Sequence, residues 1–177
     1  MDAITSRRQR DDAADFAAVL QQHRGIVFKV AGTYARGVED REDLAQEIAA
    51  QLWRAWPRYD PARSVSTWMY QVALNVGISH LRGDGRRRRH MVPLDEQLHE
   101  TAGSDGPDLE RDQHLRRLHA VIATLEPLAR ALLLLYLEER STREIAEVLG
   151  ISESNVTTRI SRLKQRIRDH AAPTGHD

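Results

Sequence analysis

Two helices joined by a tight turn are predicted by residues 141–168, STREIAEVLGISESNVTTRISRLKQRIR. The first helix would begin with Ser141 and Glu144, a capping box in which each side chain binds a backbone N–H group that lacks a helical partner. Gly150 can adopt the left-handed conformation that ends a helix, and Ser152 is a suitable N-cap for the next one. Such a pair of helices is typical of a helix-turn-helix that reads duplex DNA.

The second of these helices is expected to present a polar, cationic face. From Val156 to Ile167 the apolar residues recur at intervals of four, three and four, which places them on the opposite face. Short polar groups and arginines suit hydrogen bonding to base edges and phosphates. A solvated helical hairpin in a small all-α protein would show the same pattern, and that alternative stays open at this point. The polar residues on the outward face or its flanks are Ser154, Thr157, Thr158, Arg159, Ser161, Arg162 and Gln165.

Composition favours an all-α protein with aliphatic cores. Of the 177 residues, 29% are charged and only 5% are aromatic, so Leu, Ile, Val and Ala must supply most of the buried surface. No segment stands out that alternates apolar and polar residues as a strand would. The net charge is zero, yet Arg82 and residues 86–89 form one basic cluster and residues 159–168 form another. Acidic residues collect between them, so we expect local charge separation on a neutral protein.

Several classes of function lack their sequence signatures. The chain has no cysteine, which excludes disulfides and thiolate metal sites and fits a reducing cytoplasm. It has no P-loop, no H-E-x-x-H and no G-x-S-x-G, and its eight histidines do not pair with carboxylates at metal-ligand spacing. The N-terminus lacks an apolar signal-peptide core, and the apolar run at residues 131–137 is too short to span a bilayer. We expect a cytoplasmic protein that is not an enzyme, holds no cofactor or metal, and does not insert into a membrane.

An acidic linker is predicted between two ordered halves. Over residues 91–112 the helical periodicity fades, while proline and glycine residues punctuate the chain and acidic residues accumulate. Mutual repulsion of these carboxylates favours an extended, solvated conformation. A plain tether and a segment with its own binding role are both compatible with this composition. We therefore predict two small helical domains, residues 12–90 and 113–170, joined by this flexible linker.

Glycine residues suggest where helices of the N-terminal half weaken. Residues 16–35 have apolar positions suited to one long helix, with Gly25 and Gly32 as weak points. A later helix is expected to run through residue 75 to residue 81, interrupted at Gly77. Residues 83–85, Gly-Asp-Gly, are expected to form a turn.

A second helix of this half should present an acidic and amide face. It would begin near Asp40, and the apolar residues from Leu44 to Ala55 lie four, four and three apart. Pro57 and a turn at residues 59–61 would end it. The outward face could be the docking site of a partner or an ordinary solvated surface. Its candidate binding residues are Asp43, Gln46 and Glu47.

An aromatic pair follows a short polar loop that begins at Arg63. Trp68 and Tyr70 precede Asn75 and the first basic cluster along the chain. Rings that stack on bases, together with cations that follow the backbone, are the chemistry of single-strand binding. Aromatic residues of a small helical domain are also commonly core residues, so both alternatives remain open.

Three segments taken together resemble the small sigma factors of bacterial RNA polymerase that belong to the extracytoplasmic-function type of the sigma-70 family. DREDLAQEIAAQLWRAW (residues 40–56) resembles the helix that docks on the clamp helices of the largest polymerase subunit. STWMYQVALNVGISHLRGDGRRRR (residues 66–89) resembles the segment that melts and reads the −10 element. Residues 125–168 resemble the domain that reads the −35 element and contacts the flap of the second-largest subunit.

The resemblance implies roles for individual residues. Asp43, Gln46 and Glu47 match the positions that bind polymerase, and the acidic linker matches the family's connector, whose charge would imitate RNA phosphates. Ser79 departs from the family pattern, where an aspartate or asparagine is common. The implied −10 DNA-binding residues are Arg63, Ser64, Val65, Trp68, Asn75, Ser79, Arg82, Arg86 and Arg87. The implied −35 DNA-binding residues are Ser154, Asn155, Thr157, Thr158, Arg159, Ser161 and Arg162.

The resemblance also implies the partners: core RNA polymerase, promoter DNA and an anti-sigma factor, which could hold the protein at the membrane. Two other classes of function are compatible with the helix-turn-helix. A stand-alone regulator would bind duplex DNA as a symmetric dimer, although no dimerisation heptad is evident. The other class is an interaction protein that sequesters a polymerase subunit. Such a function would not require the polar face of residues 154–162.

Overall fold

The computed structural model describes residues 2–88, 122 and 124–171, which form seven α-helices, one 3₁₀ helix and no strand. The all-α prediction is confirmed. The chain divides into two compact units, Met1–Met91 (the first unit) and Val92–Asp177 (the second unit). The predicted linker over residues 91–112 lies outside the described residues, and the domain boundaries drawn from the sequence stay a prediction.

The first unit packs α2, α3 and α4 against one another around an apolar core. Tyr34, Leu44 and Ile48 are fully buried in it, and α4 adds the buried Met69 and Leu74. The predicted burial of one face of α3 is thus confirmed. The elements of this unit are α1 (Asp2–Gln22), α2 (Arg24–Tyr34), α3 (Val38–Ala55), a 3₁₀ helix (Trp56–Arg58) and α4 (Val65–Arg88).

The prediction of one long helix over residues 16–35 was wrong, because the chain turns at His23. The backbone there has φ −109° and ψ 16°, and the N–H of Ile26 donates to the carbonyl of His23 at 2.9 Å. Gly25, in the first turn of α2, weakens the helix at this point because glycine has a low helix propensity. The turn allows α2 to bury its own apolar face, including Val30 and Tyr34, against its neighbours.

Helix α4 does not break at Gly77, and residues 83–85 are helical rather than a turn. Gly77 is buried, and a Cβ added there would lie 2.7 Å from Cδ2 of Tyr34. The residue therefore permits a close approach of α4 to α2 instead of interrupting the helix. Gly83 has no such neighbour within 4 Å.

The second unit contains α5 (Pro127–Leu137), α6 (Thr142–Leu149) and α7 (Glu153–Ala171). Leu135, Ile145 and Val156, one from each helix, are buried to within 1% of full burial. The capping box of Ser141 and Glu144 is present in both directions, as predicted.

Two turns of the second unit have the same hydrogen-bond pattern but different residues at the left-handed position. After α6, Gly150 has φ 66°, and the N–H of Ile151 donates to the carbonyl of Ala146. After α5, Glu139 has φ 54°, and the N–H of Arg140 donates to the carbonyl of Leu135. Both are Schellman-type helix ends, but only the first has the glycine that accepts positive φ without strain.

Candidate functional site

The acidic and amide face of α3 is exposed. Asp43, Gln46 and Glu47 lie at spacings that share one side of the helix, and each is exposed, while Leu44 and Ile48 on the other side are fully buried. The structure thus brings the three predicted polymerase-binding residues together on one surface.

Asp40, on the first turn of α3, does not belong to this free face. Its Oδ2 accepts the backbone N–H of Arg36 at 2.8 Å, and its Oδ1 lies 3.0 Å from Nε2 of His80 on α4. The carboxylate therefore connects the loop before α3 with α4.

An exposed polar stripe runs along α4. Asn75, Ser79 and Arg82 are all exposed and follow one another at intervals of four and three, whereas Ala73 and Leu74 are buried in the core. The three residues span about 10 Å along the helix axis, from a rise of about 1.5 Å per residue. This stripe presents an amide, a hydroxyl and a guanidinium group on one side of the helix.

The loop before α4 adjoins the same stripe. Nη2 of the exposed Arg63 lies 3.5 Å from Oε1 of Gln71, and Gln71 lies one helical turn before Asn75. Ser64 is exposed, with its hydroxyl 3.0 Å from that of Ser66. Sequence reasoning did not include Gln71, although its spacing of four from Asn75 could have indicated it. Gln71, Asn75, Ser79 and Arg82 are together called the α4 stripe below.

The two rings considered for base stacking are buried. Only 7% of Trp68 and 1% of Tyr70 is exposed. The ring of Trp68 packs 5.9 Å from that of Trp56 and 5.0 Å from that of Tyr59, measured between centroids. Of the two alternatives, the structure supports the core, and Trp68 is therefore removed from the set of direct −10 contacts. Burial removes the ring faces on which a base would stack.

Two predicted arginine contacts fall partly beyond what the structure describes. The backbone of Arg86 and Arg87 belongs to α4, and their side chains lie outside the described part of the chain. Val65, the remaining predicted contact of this unit, is the first residue of α4 and is half-buried.

The third candidate surface is the outer face of α7. Ser152 precedes the helix as predicted, and its hydroxyl accepts the N–H of Asn155 at 3.3 Å. Val156 is fully buried and Leu163 is 7% exposed, so the opposite side faces solvent. Asn155 is half-buried, and the exposed predicted residues are Ser154, Thr157, Thr158, Arg159, Ser161 and Arg162.

Hydrogen bonds within α7 restrict what this face can donate. The Nε of Arg159 donates to Oδ1 of Asn155 at 2.7 Å, which leaves the terminal guanidinium nitrogens as further donors. The hydroxyls of Thr157 and Thr158 donate to the carbonyls of Glu153 and Ser154 at 3.1 and 2.9 Å. Toward a base, the threonines would then act as acceptors or through their methyl groups, and the arginine as a donor.

Glu144 stabilises the start of α6, the first helix of the helix-turn-helix. The backbone N–H of Ser141 donates to its Oε2 at 2.9 Å, and the Ser141 hydroxyl does so at 2.8 Å. These hydrogen bonds, followed by Nη1 of Arg140 at 3.4 Å, lower the pKa of Glu144 below its ordinary value.

Neither a metal site nor a membrane span is found in the parts of the chain that the structure describes. Among residues 2–88 and 124–171, no three histidine or carboxylate side chains are grouped as a metal ion would require. No helix there is long and apolar enough to cross a bilayer.

The chain matches two family models, one in each unit. The model for sigma-70 region 2 covers residues 19–87, and the model for sigma-70 region 4 covers residues 115–167. The exposed face of α3 and the α4 stripe lie within the first match, and the outer face of α7 lies within the second.

Individual relatives extend the similarity to nearly the whole chain. The chain is 32% identical over 171 residues to the ECF RNA polymerase sigma factor RpoE of Cereibacter sphaeroides, a match that covers 93% of this chain and 90% of that protein. It is 29% identical over 159 residues to the ECF RNA polymerase sigma factor SigE of Mycolicibacterium smegmatis, which covers 87% of this chain and 60% of that protein.

A solved structure has the same fold. The sigma factor RpoE in complex with the anti-sigma factor NepR from Bartonella quintana matches with a TM-score of 0.66 at 17% identity, over 94% of this chain and 99% of that one.

Proposed function

The chain belongs to the extracytoplasmic-function sigma factors of the sigma-70 family, and we propose that the α4 stripe and the outer face of α7 divide the recognition of one promoter between them. As a sigma factor, it binds core RNA polymerase and directs transcription initiation. The observation that carries this function is the 32% identity to a sigma factor along 93% of the chain, with a region 2 match and a region 4 match in that order. A dimeric stand-alone regulator would not be expected to share this two-part organisation.

The face of Asp43, Gln46 and Glu47 is the proposed polymerase-docking surface. It is exposed, it lies on a helix whose other side is packed into the core, and it carries two carboxylates. Exposed charges of this kind mainly set association rate and partner choice, and their effect weakens as salt rises.

Residues 63–65, at the junction of the loop and α4, and the α4 stripe are the proposed −10 surface. An amide at Asn75 and an arginine at Arg82 suit an unpaired base and a phosphate, respectively. Taking a base out of the stack costs a few kcal/mol, and contacts to the flipped base and to the displaced strand can offset that cost. Opening of the DNA would then be driven by binding, and polymerase would supply the catalysis.

The outer face of α7 is the proposed −35 surface. It presents Arg159 and Arg162 as donors and the threonines as acceptors on an exposed helix of a helix-turn-helix. Such a helix enters the major groove, where each base pair shows a distinct pattern of donors and acceptors.

An anti-sigma factor is a further proposed partner. The Bartonella quintana protein that shares this fold was solved with its anti-sigma factor. A protein that covers either the docking face of α3 or the α4 stripe would keep this chain from initiating transcription.

Run-off transcription tests the function directly. Purified core polymerase would be incubated with and without this protein on a library of genomic upstream fragments, and we expect initiation at defined start sites only when the protein is present. A core enzyme that is active with another sigma factor, but never initiates with this folded protein, would contradict the proposal. The next experiment would then test dimeric binding to duplex DNA, which the stand-alone regulator requires.

A further inference from the structure

Five aromatic rings lie in contact beside the loop that precedes α4. They come from α1, from the end of α3, from the 3₁₀ helix, from the loop and from α4, and neighbouring centroids are 5.0 to 5.9 Å apart. Aromatic residues make up only 5% of the chain, so their concentration here needs an explanation. The members of this aromatic cluster are Phe16, Trp53, Trp56, Tyr59 and Trp68.

Tyr59 is the member that belongs to the loop. Its ring stacks on Trp56 with centroids 5.3 Å apart and planes at 14°, and it is tilted against Trp68 at 5.0 Å. Its hydroxyl donates a hydrogen bond to the carbonyl of Arg63 at 2.8 Å. One side chain therefore joins the aromatic cluster to the far end of the loop.

The backbone of this loop is ordered by short-range hydrogen bonds. The N–H of Ala62 donates to Oδ1 of Asp60 at 2.9 Å, and the N–H of Arg63 donates to the carbonyl of Asp60 at 3.0 Å. The carbonyl of Ser64 accepts the N–H of Trp68 at 3.1 Å and so starts α4. Residues 60–64 are nevertheless all exposed, so apolar burial of their own side chains does not hold them.

We propose that Tyr59 is a positioning residue for recognition of the −10 element. The aromatic cluster holds its ring, and its hydroxyl holds the Arg63 carbonyl, so that residues 63–65 keep one shape beside the α4 stripe. A loop that is already ordered loses less conformational entropy when a base enters it. A loosely held loop would accept different bases more equally, because discrimination depends on donors and acceptors at fixed positions. This inference rests on the proposed function, since it concerns the same −10 surface.

Tyr59→Phe tests the inference because it removes the hydroxyl and leaves the stacked ring. The affinity of the holoenzyme would be measured for single-stranded −10 oligonucleotides in which each base is varied in turn. Discrimination is defined as the ratio of the best affinity to the worst. Loss of one hydrogen bond should lower this ratio about 2- to 10-fold. Hydrogen exchange of the amides of Ala62 and Arg63 should become faster. Tyr136→Phe, which removes a hydroxyl from the other unit, is the matched control and should leave the ratio unchanged.

Each outcome of this experiment has a defined meaning. Reduced discrimination with an unchanged thermal midpoint and unchanged affinity for core polymerase supports the positioning role. Unchanged discrimination in Tyr59→Phe overturns the inference and leaves the proposed function standing. If Tyr59→Phe weakens polymerase affinity or thermal stability by as much as it weakens DNA binding, the tyrosine has only a structural role. That outcome also overturns the inference. A wild-type holoenzyme that neither initiates transcription nor discriminates among the oligonucleotides would overturn the proposed function itself.

Discussion

In the first unit, contacts between distant parts of the chain hold the candidate DNA surface, whereas in the second unit the ends of the two helix-turn-helix helices are defined by caps that are close in sequence. In the first unit, Gly77 allows α4 to pack closely against Tyr34 of α2. Stacking of Tyr59 in the aromatic cluster holds the loop before α4. In the second unit, local caps define the helices on either side of the turn: the Glu144 capping box starts α6, the left-handed Gly150 ends it, and Ser152 caps α7.

The difference predicts how substitutions would destabilise each unit. Tertiary contacts can be broken by one badly fitting atom, since a packed core has little room to relax. Helix caps contribute smaller and more independent increments, so the second unit should lose stability gradually as they are removed. Substitutions at matched positions can test whether the two units differ in this way.

The largest effect is expected from Gly77→Val. The added Cβ would lie 2.7 Å from a ring atom of the fully buried Tyr34, so the free energy of unfolding of the first unit should fall by about 3 kcal/mol. Trp53, Trp56 and Trp68 are the three tryptophans of the chain and all lie in the first unit, so urea unfolding followed by tryptophan fluorescence reports on this unit.

Gly83→Val is the control for Gly77→Val on the same helix. Beyond its chain neighbours and the backbone of its own helix, no atom lies within 4 Å of the position where its Cβ would be, and the change should be within about 0.5 kcal/mol. Equal losses in the two variants would show that the close approach of α4 to Tyr34 does not explain the effect.

The next largest effect separates the two DNA surfaces. Asn75→Ala should weaken opening of the −10 region, and Arg162→Ala should weaken discrimination among −35 sequences, each by about 2 kcal/mol for one lost contact. Permanganate reactivity of the −10 thymines measures the first, and binding to −35 variants measures the second. Each variant is the control for the other. Loss of both activities in either variant would mean that the two surfaces are not independent.

A smaller effect of opposite sign is expected at the two left-handed helix ends. Glu139→Gly should stabilise the second unit by about 1 kcal/mol, because a non-glycine residue is strained at φ 54°. Gly150→Ala should destabilise it by a similar amount, about 1 kcal/mol, at φ 66°. Hydrogen exchange of the amides in α5 and α6 would measure both changes. Shifts of the same sign in the two variants would contradict the assignment of strain to Glu139.

The smallest effect is expected from acid. Hydrogen bonds from Ser141 lower the pKa of folded Glu144, so the unfolded chain binds this proton more readily. The resulting stabilisation is present above the unfolded pKa, near about 4.3, and is lost as the pH falls through the lower folded value. The stability difference between wild type and Glu144→Gln should therefore shrink as the pH falls below about 5, when thermal unfolding is followed by far-UV circular dichroism.

Ser141→Ala sharpens this acid test. It removes the hydroxyl that contacts the Glu144 carboxylate at 2.8 Å, so the acid-dependent loss of stability should be smaller in this variant than in the wild type. An acid-dependent loss of the same size in Ser141→Ala would attribute the effect to other groups.

Sequence reasoning alone was sufficient for the helix-turn-helix and for the two faces of α3. A capping box, a left-handed glycine and an apolar period of three to four act within one or two turns, so the residues that carry them are close in sequence. That is why Ser141, Gly150 and Ser152 have the predicted roles, and why Asp43, Gln46 and Glu47 are exposed on one side.

Other features depend on residues that meet only after folding. Gly77 was expected to interrupt α4, but it lets the helix pass close to Tyr34. The sequence left Trp68 open between base stacking and the core, and in the structure its ring packs against Trp56 and Tyr59. Local propensity does not predict such contacts. The free energy gained by burying a ring, or by packing a ring against a glycine that lacks a Cβ, depends on the partner side chain as much as on the residue itself. The sequence therefore sufficed to predict which helices form and which faces are polar, and only tertiary packing established where α4 lies and how its loop is held.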